Sequence, residues 1–289
     1  MAVPDRKTRL FTRRGDGRRL RMLKGMAEVT EPLSGEGLAP GVPADYYRRI
    51  YDAEEHHWWY RGMRSITEAL LAQRLELRRQ SLLDLGCGTG GFLAWAGRTG
   101  SFDRLAGVDI SSAAISYARD RVAEAELHVG KLEQLPFEDG SFDLIAMNDV
   151  LQHIPEDEIG RILAQGRRVL RPSGAFFVRT NGARTLRRER SDWRAYSAQA
   201  LVATLESGGF RCERITYANV ATSLWALANR EAPRAPSAER HGIPLVGGAR
   251  WKSAIGLQLL RLEAAYLRRP GRRLPYGHTL FAIARPAEA

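Results

Sequence analysis

Residues 81–100 read SLLDLGCGTGGFLAWAGRTG: an apolar run, a cluster of glycines and a stretch typical of a helix. The apolar run predicts a buried strand, and the glycines predict a sharp turn that leads into the helix. Glycines allow a ligand to approach the backbone closely, and the first turn of a helix presents unpaired N–H groups. The segment therefore predicts a binding loop for a pyrophosphate or a carboxylate.

Two aspartates bear on which ligand the loop holds. Asp84 lies in the predicted strand beside the glycines, where a carboxylate would repel a pyrophosphate and would attract an ammonium group. Asp109 ends a second apolar stretch, LAGVD, and is placed to bond both hydroxyls of a ribose. The pair favours a ligand with an amino-acid end and a nucleoside. A dinucleotide-dependent oxidoreductase stays open, because GCGTGG also satisfies the pattern G-x-G-x-x-G.

Apolar stretches alternate with helical patterns along the chain, which predicts an α/β fold. The predicted strands lie near 81–85, 105–109, 126–129, 142–147, 174–180, 210–217 and 279–284. The predicted helices lie near 91–98, 112–123, 156–170 and 198–207, after two further helices between 45 and 77. This order indicates a doubly wound, mostly parallel seven-stranded sheet of Rossmann-like type.

Composition divides the chain into five expected regions. They are a disordered basic arm (1–43), an N-terminal helical lid (44–80), the α/β core (81–217), an inserted helical cap (218–275) and the final strand with a tail (276–289). The arm is predicted to be disordered because it is rich in glycine, proline and charge and has no apolar period.

Three motifs in order resemble those of class I S-adenosylmethionine (SAM)-dependent methyltransferases: LLDLGCGTG, GVDIS and LPFEDGSFDLIAMNDVLQHI. The resemblance covers residues 45–289 and implies that SAM is the cofactor. It assigns cofactor contacts to Asp84, Gly86, Cys87, Gly88, Gly90, Asp109, Ile110, Lys131, Leu132, Asn148 and Asp149. Lys131 departs from the family pattern, since lysine cannot accept a bond from the adenine amino group, and Glu133 or a backbone carbonyl is the expected substitute.

His153 follows the fourth predicted strand, on the edge of the sheet where the methyl group of such a cofactor would point. Histidine is suited to take a proton from an oxygen nucleophile near neutral pH. The alternative is that His153 only packs against the cofactor. The base role would favour an O-methyltransferase over a C- or N-methyltransferase.

The segment EEHHWWYRGMR (54–64) carries three adjacent aromatic residues that cannot share one helix face. We expect Trp58 or Tyr60 to cover the cofactor and Arg61 to meet a carboxylate, although a helix that only anchors the core explains the segment equally well. Substrate contacts are expected from Tyr47, His57 and Asn181. A zinc site at His56 and His57 is not expected, because neighbouring side chains diverge and a Cys/His partner cluster is missing.

The net charge of +11 is unevenly distributed. Residues 1–24 carry +7 and residues 25–183 carry −6, while the late segments 184–194 and 250–273 carry +3 and +6. An acidic core argues against nucleic acid as a partner, although the arm leaves an RNA or protein methyltransferase as an alternative. The late segments fit either an anionic small-molecule substrate or a solvated surface.

The chain contains two cysteines and no apolar run of membrane-spanning length. We therefore expect a cytoplasmic enzyme without a membrane span, and the sequence leaves its oligomeric state open. Arginine outnumbers lysine 40 to 4, which suggests a GC-rich bacterial genome. The predicted function is SAM-dependent methylation of a small molecule in bacterial secondary metabolism or glycan modification; a SAM-binding protein without activity is a further alternative.

Overall fold

The structure is a computed structural model that describes residues 45–77, 79–182, 194–220 and 250–287. The predicted basic arm lies outside these residues, as do parts of the late basic segment and of the predicted cap.

The described residues alternate between helices and strands. The strands are β1 (Gln80–Leu85), β2 (Phe102–Asp109), β3 (Glu126–Val129), β4 (Phe142–Asn148), β5 (Leu170–Asn181), β6 (Phe210–Ala218) and β7 (Thr279–Pro286). The helices are α1 (Tyr46–His56), α2 (Trp58–Leu70), α3 (Ala72–Leu75), α4 (Gly91–Thr99), α5 (Ser112–Arg121), α6 (Glu156–Val169), α7 (Ala198–Ser207) and α8 (Arg250–Leu267), with a 3₁₀ turn at Leu151–His153.

The strands form one seven-stranded sheet in the order β3-β2-β1-β4-β5-β7-β6. The pairs from β3 to β5 are parallel, and β7 runs antiparallel between β5 and β6. The predicted doubly wound, mostly parallel sheet is therefore confirmed. Because β1 and β4 are neighbours while β2 lies beyond β1, the chain reverses direction across the sheet at β1, and ligands collect at the carboxyl ends of strands beside such a point.

Both faces of the sheet are covered, since successive strand residues point to opposite sides. Leu83 and Ile145 pack in a layer with Leu163 of α6. Their neighbours in the strands, Leu82 and Leu144, pack in the other layer with helices α2, α4 and α8.

Helices α2 and α8 approach closely because each carries a glycine at the contact. A Cβ atom added at Gly62 would lie 2.2 Å from the Leu260 side chain, and one added at Gly256 would lie 2.8 Å from the Trp58 ring. The described helix of the predicted cap therefore packs on the predicted lid helix.

Two strands begin earlier than the sequence pattern predicts. β2 starts at Phe102 instead of 105 and β5 at Leu170 instead of 174. The first residues of both strands include polar side chains, Asp103 and Arg104 in β2 and Ser173 in β5, which lie exposed at the amino edge of the sheet. Hydrophobic patterning misses such ends because only pairing with a neighbour makes them strands.

Candidate active site

A cavity of about 670 Å³ lies at the carboxyl ends of β1, β2 and β4. The sheet side contributes Asp84, Asp109, Asn148 and Arg179, and α1 and α2 close the opposite wall with Tyr46, Ile50, Glu54, Tyr60 and Arg64. The cavity therefore lies between the glycine-rich loop and the N-terminal helices.

The glycine-rich loop turns tightly, with φ of 73° at Gly86, 52° at Gly88 and 79° at Gly90. A Cβ atom added at Gly86 would lie 2.3 Å from the Val150 side chain, so no larger residue fits there. A Cβ atom added at Gly88 would meet nothing within 4 Å. The backbone at Gly88 therefore faces open space in the cavity, where a ligand can approach it.

Asp109 holds this loop to the end of β2. One carboxylate oxygen accepts a hydrogen bond from the Gly88 N–H at 2.9 Å, and the other accepts from the Ser111 N–H at 2.9 Å. Burial raises the pKa of Asp109, and these two hydrogen bonds oppose the rise. A carboxylate has further lone pairs to offer, so Asp109 can still accept bonds from a pair of ligand hydroxyls.

Asp84 is 2% exposed at the end of β1, and burial raises its pKa to about 8. Its contact with Asn148 is long, 3.5 Å from Nδ2 to Oδ1. The buried Oδ1 atom of Asn148 has no hydrogen-bond partner within the described part of the chain. A buried acceptor without a donor and a buried carboxyl group with one long contact are costly by themselves, and an ammonium group would satisfy both.

The far side of the cavity is formed by the segment after β4. Asp149 adopts a φ of 58° and accepts hydrogen bonds from Arg179 Nε at 3.0 Å and Nη2 at 2.6 Å. The Arg179 guanidinium lies 5.4 Å from the centroid of the Trp59 ring. His153 ends the 3₁₀ turn, is exposed and lines the cavity. This wall brings an ion pair and an accessible imidazole to the same space.

Helix α1 is held over the glycine-rich loop by Glu54. Its carboxylate accepts hydrogen bonds from the Thr89 hydroxyl and from Arg121, whose guanidinium lies 3.9 Å from the centroid of the Tyr51 ring. A Cβ atom added at Gly91 would lie 2.4 Å from the Glu54 carboxyl carbon. The glycine at the start of α4 therefore makes room for this contact.

Most residues assigned to the site from the sequence meet at this cavity. The lining includes Tyr47, Asp84, Gly86, Cys87, Gly88, Asp109, Ile110, Lys131, Leu132, Glu133, Asn148, Asp149 and His153. Gly90 belongs to the loop but packs against α5, where an added Cβ atom would lie 3.1 Å from Ala118.

Besides Gly90, four assigned residues lie outside the cavity lining, so their roles at the site stay predictions. The Trp58 ring packs on α8, and Arg61 is exposed on α2. His57 caps α2 by accepting from the Trp59 N–H at 3.4 Å, and burial lowers its pKa. Asn181 ends β5, and its N–H donates to the Gln152 side chain at 3.2 Å. Arg64, about one turn further along α2, lines the cavity in place of Arg61.

Sequence reasoning missed several lining residues, among them Tyr46, Ile50, Glu54 and Arg64, whereas Tyr60, the alternative to Trp58, does line the cavity. The spacing of Tyr47, Ile50 and Glu54 by three and four residues would have placed them on one face of α1. Burial raises the pKa of Tyr60 above its usual value and that of Tyr46 to about 12, so both hydroxyls stay protonated donors.

No group of three or more His, Cys, Asp or Glu side chains suited to a metal ion occurs among the described residues, so His56 and His57 belong to none there. Within the same residues, no helix combines the length and apolar character needed to cross a membrane.

The fold and the cavity define a class of protein: a Rossmann-like domain with a glycine-rich loop and an acidic residue at the end of each of its first two strands. A family profile described as a methyltransferase domain matches residues 83–178. These residues form a methyltransferase domain of the class I SAM-dependent type. The buried acceptors at Asp84 and Asn148, the open space at Gly88 and the position of Asp109 fit the cofactor of this family.

Individual relatives agree with this assignment. The chain is 29% identical over 191 residues to a probable S-adenosylmethionine-dependent methyltransferase of Mycolicibacterium smegmatis, covering 63% of this chain and 66% of the relative. It is 28% identical over 225 residues to a malonyl-[acyl-carrier protein] O-methyltransferase of Pseudescherichia vulneris, covering 73% of this chain and 84% of the relative. Three other curated relatives are matched over only 28%, 45% and 58% of their own length.

The fold is also found in solved structures. A chain from the complex of the Haloferax volcanii Trm112 methyltransferase activator with a putative methyltransferase superimposes with a TM-score of 0.54 at 17% identity. The match covers 84% of this chain and 95% of that chain. At this identity the likeness establishes the fold alone.

Proposed function

We propose that the chain transfers a methyl group from SAM to an oxygen atom of a small-molecule acceptor. The observation that carries the proposal is the pair of buried acceptors, the Asp84 carboxylate and Asn148 Oδ1, beside the open backbone of Gly88. This arrangement suits the ammonium end of an amino-acid ligand, and Asp109 lies where a nucleoside would follow.

Each part of the cofactor has a counterpart in the cavity. Asp84 and Asn148 would hold the ammonium group, and Arg64 would hold the carboxylate in place of the expected Arg61. Asp109 would accept from the ribose hydroxyls. Lys131, Leu132 and Glu133 line the edge assigned to adenine, and the Glu133 carboxylate can accept a bond where Lys131 cannot. When bound, SAM supplies an electrophilic methyl group on a sulfonium.

Catalysis of such a displacement is mainly positioning, and the protein supplies it through the closed wall of α1 and α2. A hydroxyl acceptor must also lose a proton. The exposed imidazole of His153 lines the same cavity and can accept that proton. Oxygen as the acceptor atom is further supported by the O-methyltransferase from P. vulneris, the relative with 84% of its length matched.

The acceptor we propose is small and partly apolar. Ile50, Tyr60, Ile154 and Ile162 contribute apolar surface to the cavity. The cation Arg179 is already paired with Asp149 at 2.6 Å, so an anionic acceptor would compete with a carboxylate for it. The expectation of an anionic substrate rested on two basic segments. Of these, 184–194 lies outside the described residues except for Arg194, and 250–273 contributes no residue to the cavity lining.

Calorimetric titration with S-adenosylhomocysteine tests cofactor binding. Asp109→Ala should weaken binding by about 1 to 3 kcal/mol, because the ribose hydroxyls and the Gly88 N–H lose their acceptor. Asp103→Ala is the matched control: it removes an exposed carboxylate from the same strand and should leave the affinity unchanged. Tight binding of NADH with none of S-adenosylhomocysteine would reject the proposal.

A second measurement tests the acceptor atom. Release of S-adenosylhomocysteine from SAM is followed with matched panels of phenols, alcohols, carboxylates and amines, and each product is analysed by mass spectrometry. We expect turnover with oxygen acceptors. Turnover confined to amines would leave cofactor binding intact and would remove the oxygen assignment.

A further inference from the structure

The turn after β4, residues 149–153, begins in an uncommon backbone conformation. Asp149 adopts a φ of 58°, in the left-handed region that glycine enters readily. Aspartate enters this region more easily than most other residues, but still at a cost in free energy. Such a conformation persists where the surrounding structure holds it in place. The shape of this part of the cavity wall therefore depends on the contacts that hold Asp149.

Arg179 on β5 holds Asp149 through both its main chain and its side chain. The Arg179 carbonyl oxygen accepts a hydrogen bond from the Asp149 N–H at 2.8 Å. The guanidinium donates to Oδ2 of Asp149 from Nε at 3.0 Å and from Nη2 at 2.6 Å. The Arg179 side chain is only 12% exposed, partly because the Trp59 ring of α2 lies beside it, so solvent screens the ion pair weakly. Arg179 is therefore a rigid support for the start of the turn.

The turn in its present shape supports the glycine-rich loop. Val150, the residue after Asp149, packs so closely against the loop that a Cβ atom added at Gly86 would lie 2.3 Å from its side chain. The other end of the turn has a separate anchor on β5, since the Gln152 side-chain oxygen accepts from the Thr180 hydroxyl at 2.9 Å. A change at Arg179 should therefore alter the start of the turn, where Val150 meets the loop.

We propose that Arg179 is a positioning residue for the cofactor: by holding Asp149 in its left-handed conformation, it keeps Val150 against the glycine-rich loop and so sets the shape of the cofactor site. The proposal rests on SAM as the cofactor, and it is independent of the acceptor atom and of His153 as a base. Binding of S-adenosylhomocysteine tests it without an acceptor. A failure of the oxygen assignment would therefore leave the role of Arg179 unaffected.

Arg179→Lys in the full chain is the first variant, because lysine keeps the charge and lacks the planar fork that makes two bonds to Asp149. Keeping the charge matters, since burial raises the pKa of Asp84 and the charge of Arg179 opposes that rise. Calorimetric titration should show about tenfold weaker binding of S-adenosylhomocysteine. Arg171→Lys is the matched control: Arg171 lies on the same strand and bonds Asp143 at 2.6 Å at the amino edge, so the affinity should not change.

Two substitutions at Asp149 separate the backbone conformation from the carboxylate. Asp149→Ala and Asp149→Gly both remove the carboxylate, but only glycine adopts a φ of 58° without a steric penalty. We expect Asp149→Gly to bind S-adenosylhomocysteine within about threefold of the wild type, and Asp149→Ala to bind it about tenfold more weakly. For the same reason, Asp149→Gly should restore the affinity of Arg179→Lys. The single variants at Asp149 leave Arg179 in place, so they decide the question even where Arg179→Lys does not fold.

Three results would overturn the proposal. The first is wild-type affinity in Arg179→Lys. The second is equal affinity in Asp149→Ala and Asp149→Gly, since the backbone conformation would then have no effect on binding. The third is a loss of affinity in Arg171→Lys equal to that in Arg179→Lys, which would make the effect one of general stability. Absence of binding to the wild type would reject the cofactor itself, and the proposal with it.

Discussion

Asp143 and Asp84 lie on the neighbouring strands β4 and β1, at opposite edges of the sheet, and they differ in hydrogen bonding and in pKa. Asp143, at the start of β4, accepts hydrogen bonds from the Ser81 N–H at 2.9 Å and from Arg171 at 2.6 Å. Partial burial raises its pKa, but Ser81 and Arg171 outweigh the burial and hold the pKa below its usual value. Asp84, at the end of β1, is more deeply buried, has one weak contact, and has a pKa raised to about 8.

The difference teaches where stability and function lie in the molecule. At the amino edge the carboxylate is satisfied by the protein and ties strands together. At the carboxyl edge the Asp84 carboxyl group is available to a ligand, and its burial destabilises the folded protein in the absence of that ligand. Substitutions at the two edges should therefore have opposite signatures in stability and in binding.

The largest expected effect belongs to the carboxyl edge. His153→Ala should lower turnover with a hydroxyl acceptor by about 10²- to 10⁴-fold, because proton removal in the transition state is lost. Affinity for S-adenosylhomocysteine and the melting temperature should stay nearly unchanged. Steady-state kinetics as a function of pH provide the measurement, and the wild-type rate should rise as the imidazole loses its proton.

His128→Gln is a control, since His128 lies on β3 and its ring is 3.2 Å from the Glu126 carboxylate, outside the cavity lining. A His153→Ala variant that kept most of its turnover with an unchanged pH profile would make His153 a packing residue. Such a result would also be expected for a carboxylate acceptor, which is already deprotonated.

Asp84→Asn should separate binding from stability. We expect affinity for S-adenosylhomocysteine to fall about 10- to 100-fold, because an amide cannot compensate an ammonium charge. In the unfolded chain the pKa of this aspartate is about 4. Between about pH 4 and pH 8 the unfolded state has therefore lost the proton that the folded state still holds. The free energy of unfolding of the wild type falls as the pH rises through this range. The variant lacks this loss and should be about 1 to 3 kcal/mol more stable at pH 8 than the wild type.

Denaturant unfolding at pH 5, 6.5 and 8 measures the effect. The stability gain should grow with pH over this series. A variant that is equally or less stable than the wild type at pH 8 would show that Asp84 is satisfied in the free protein, and the comparison of the two edges would fail.

The smallest effect is expected at the amino edge. Asp143→Asn should lower the free energy of unfolding by about 1 kcal/mol at neutral pH, because the bonds to Arg171 and Ser81 weaken. The lowered pKa of Asp143 makes its contribution full above about pH 4 and lost as pH falls through the folded value, so the wild type and the variant should converge in acid. Affinity for S-adenosylhomocysteine should not change; a loss of affinity comparable to that of Asp84→Asn would contradict the separation of the two edges.

Sequence patterning predicted most of the fold because the strands of this sheet are short, apolar and separated by helices. The glycine-rich loop could also be predicted from the sequence, since glycines at 86, 88 and 90 are typical of a tight turn next to a ligand. Site residues that directly follow strands, such as Asp109, were found for the same reason. Strand ends mark the functional edge of a parallel sheet whatever surrounds them.

The helical wall was predicted less well. Trp58, Arg61 and His57 were assigned to the site from their residue types. The rotation of α2 instead turns Arg64 toward the cavity, together with Tyr60, the alternative to Trp58. That rotation is set by Gly62 and Gly256, which let α2 and α8 pack closely although nearly 200 residues separate them. Contacts between helices so far apart in the sequence produce no local sequence pattern from which they could be predicted.

By itself the sequence determined the order of strands and helices, the position of the glycine turn and the acidic residues at the ends of β1 and β2. These follow from local periodicity and from the conformations that glycine alone adopts readily. Only the tertiary structure decided that Glu54 reaches Thr89 and Arg121, that the buried Asn148 Oδ1 beside Asp84 has no partner among the described residues, and that α8 exposes a second apolar face. Each of these features depends on which surfaces of the chain pack against each other. The free energies of these contacts depend on burial, and burial is defined only once the chain is packed.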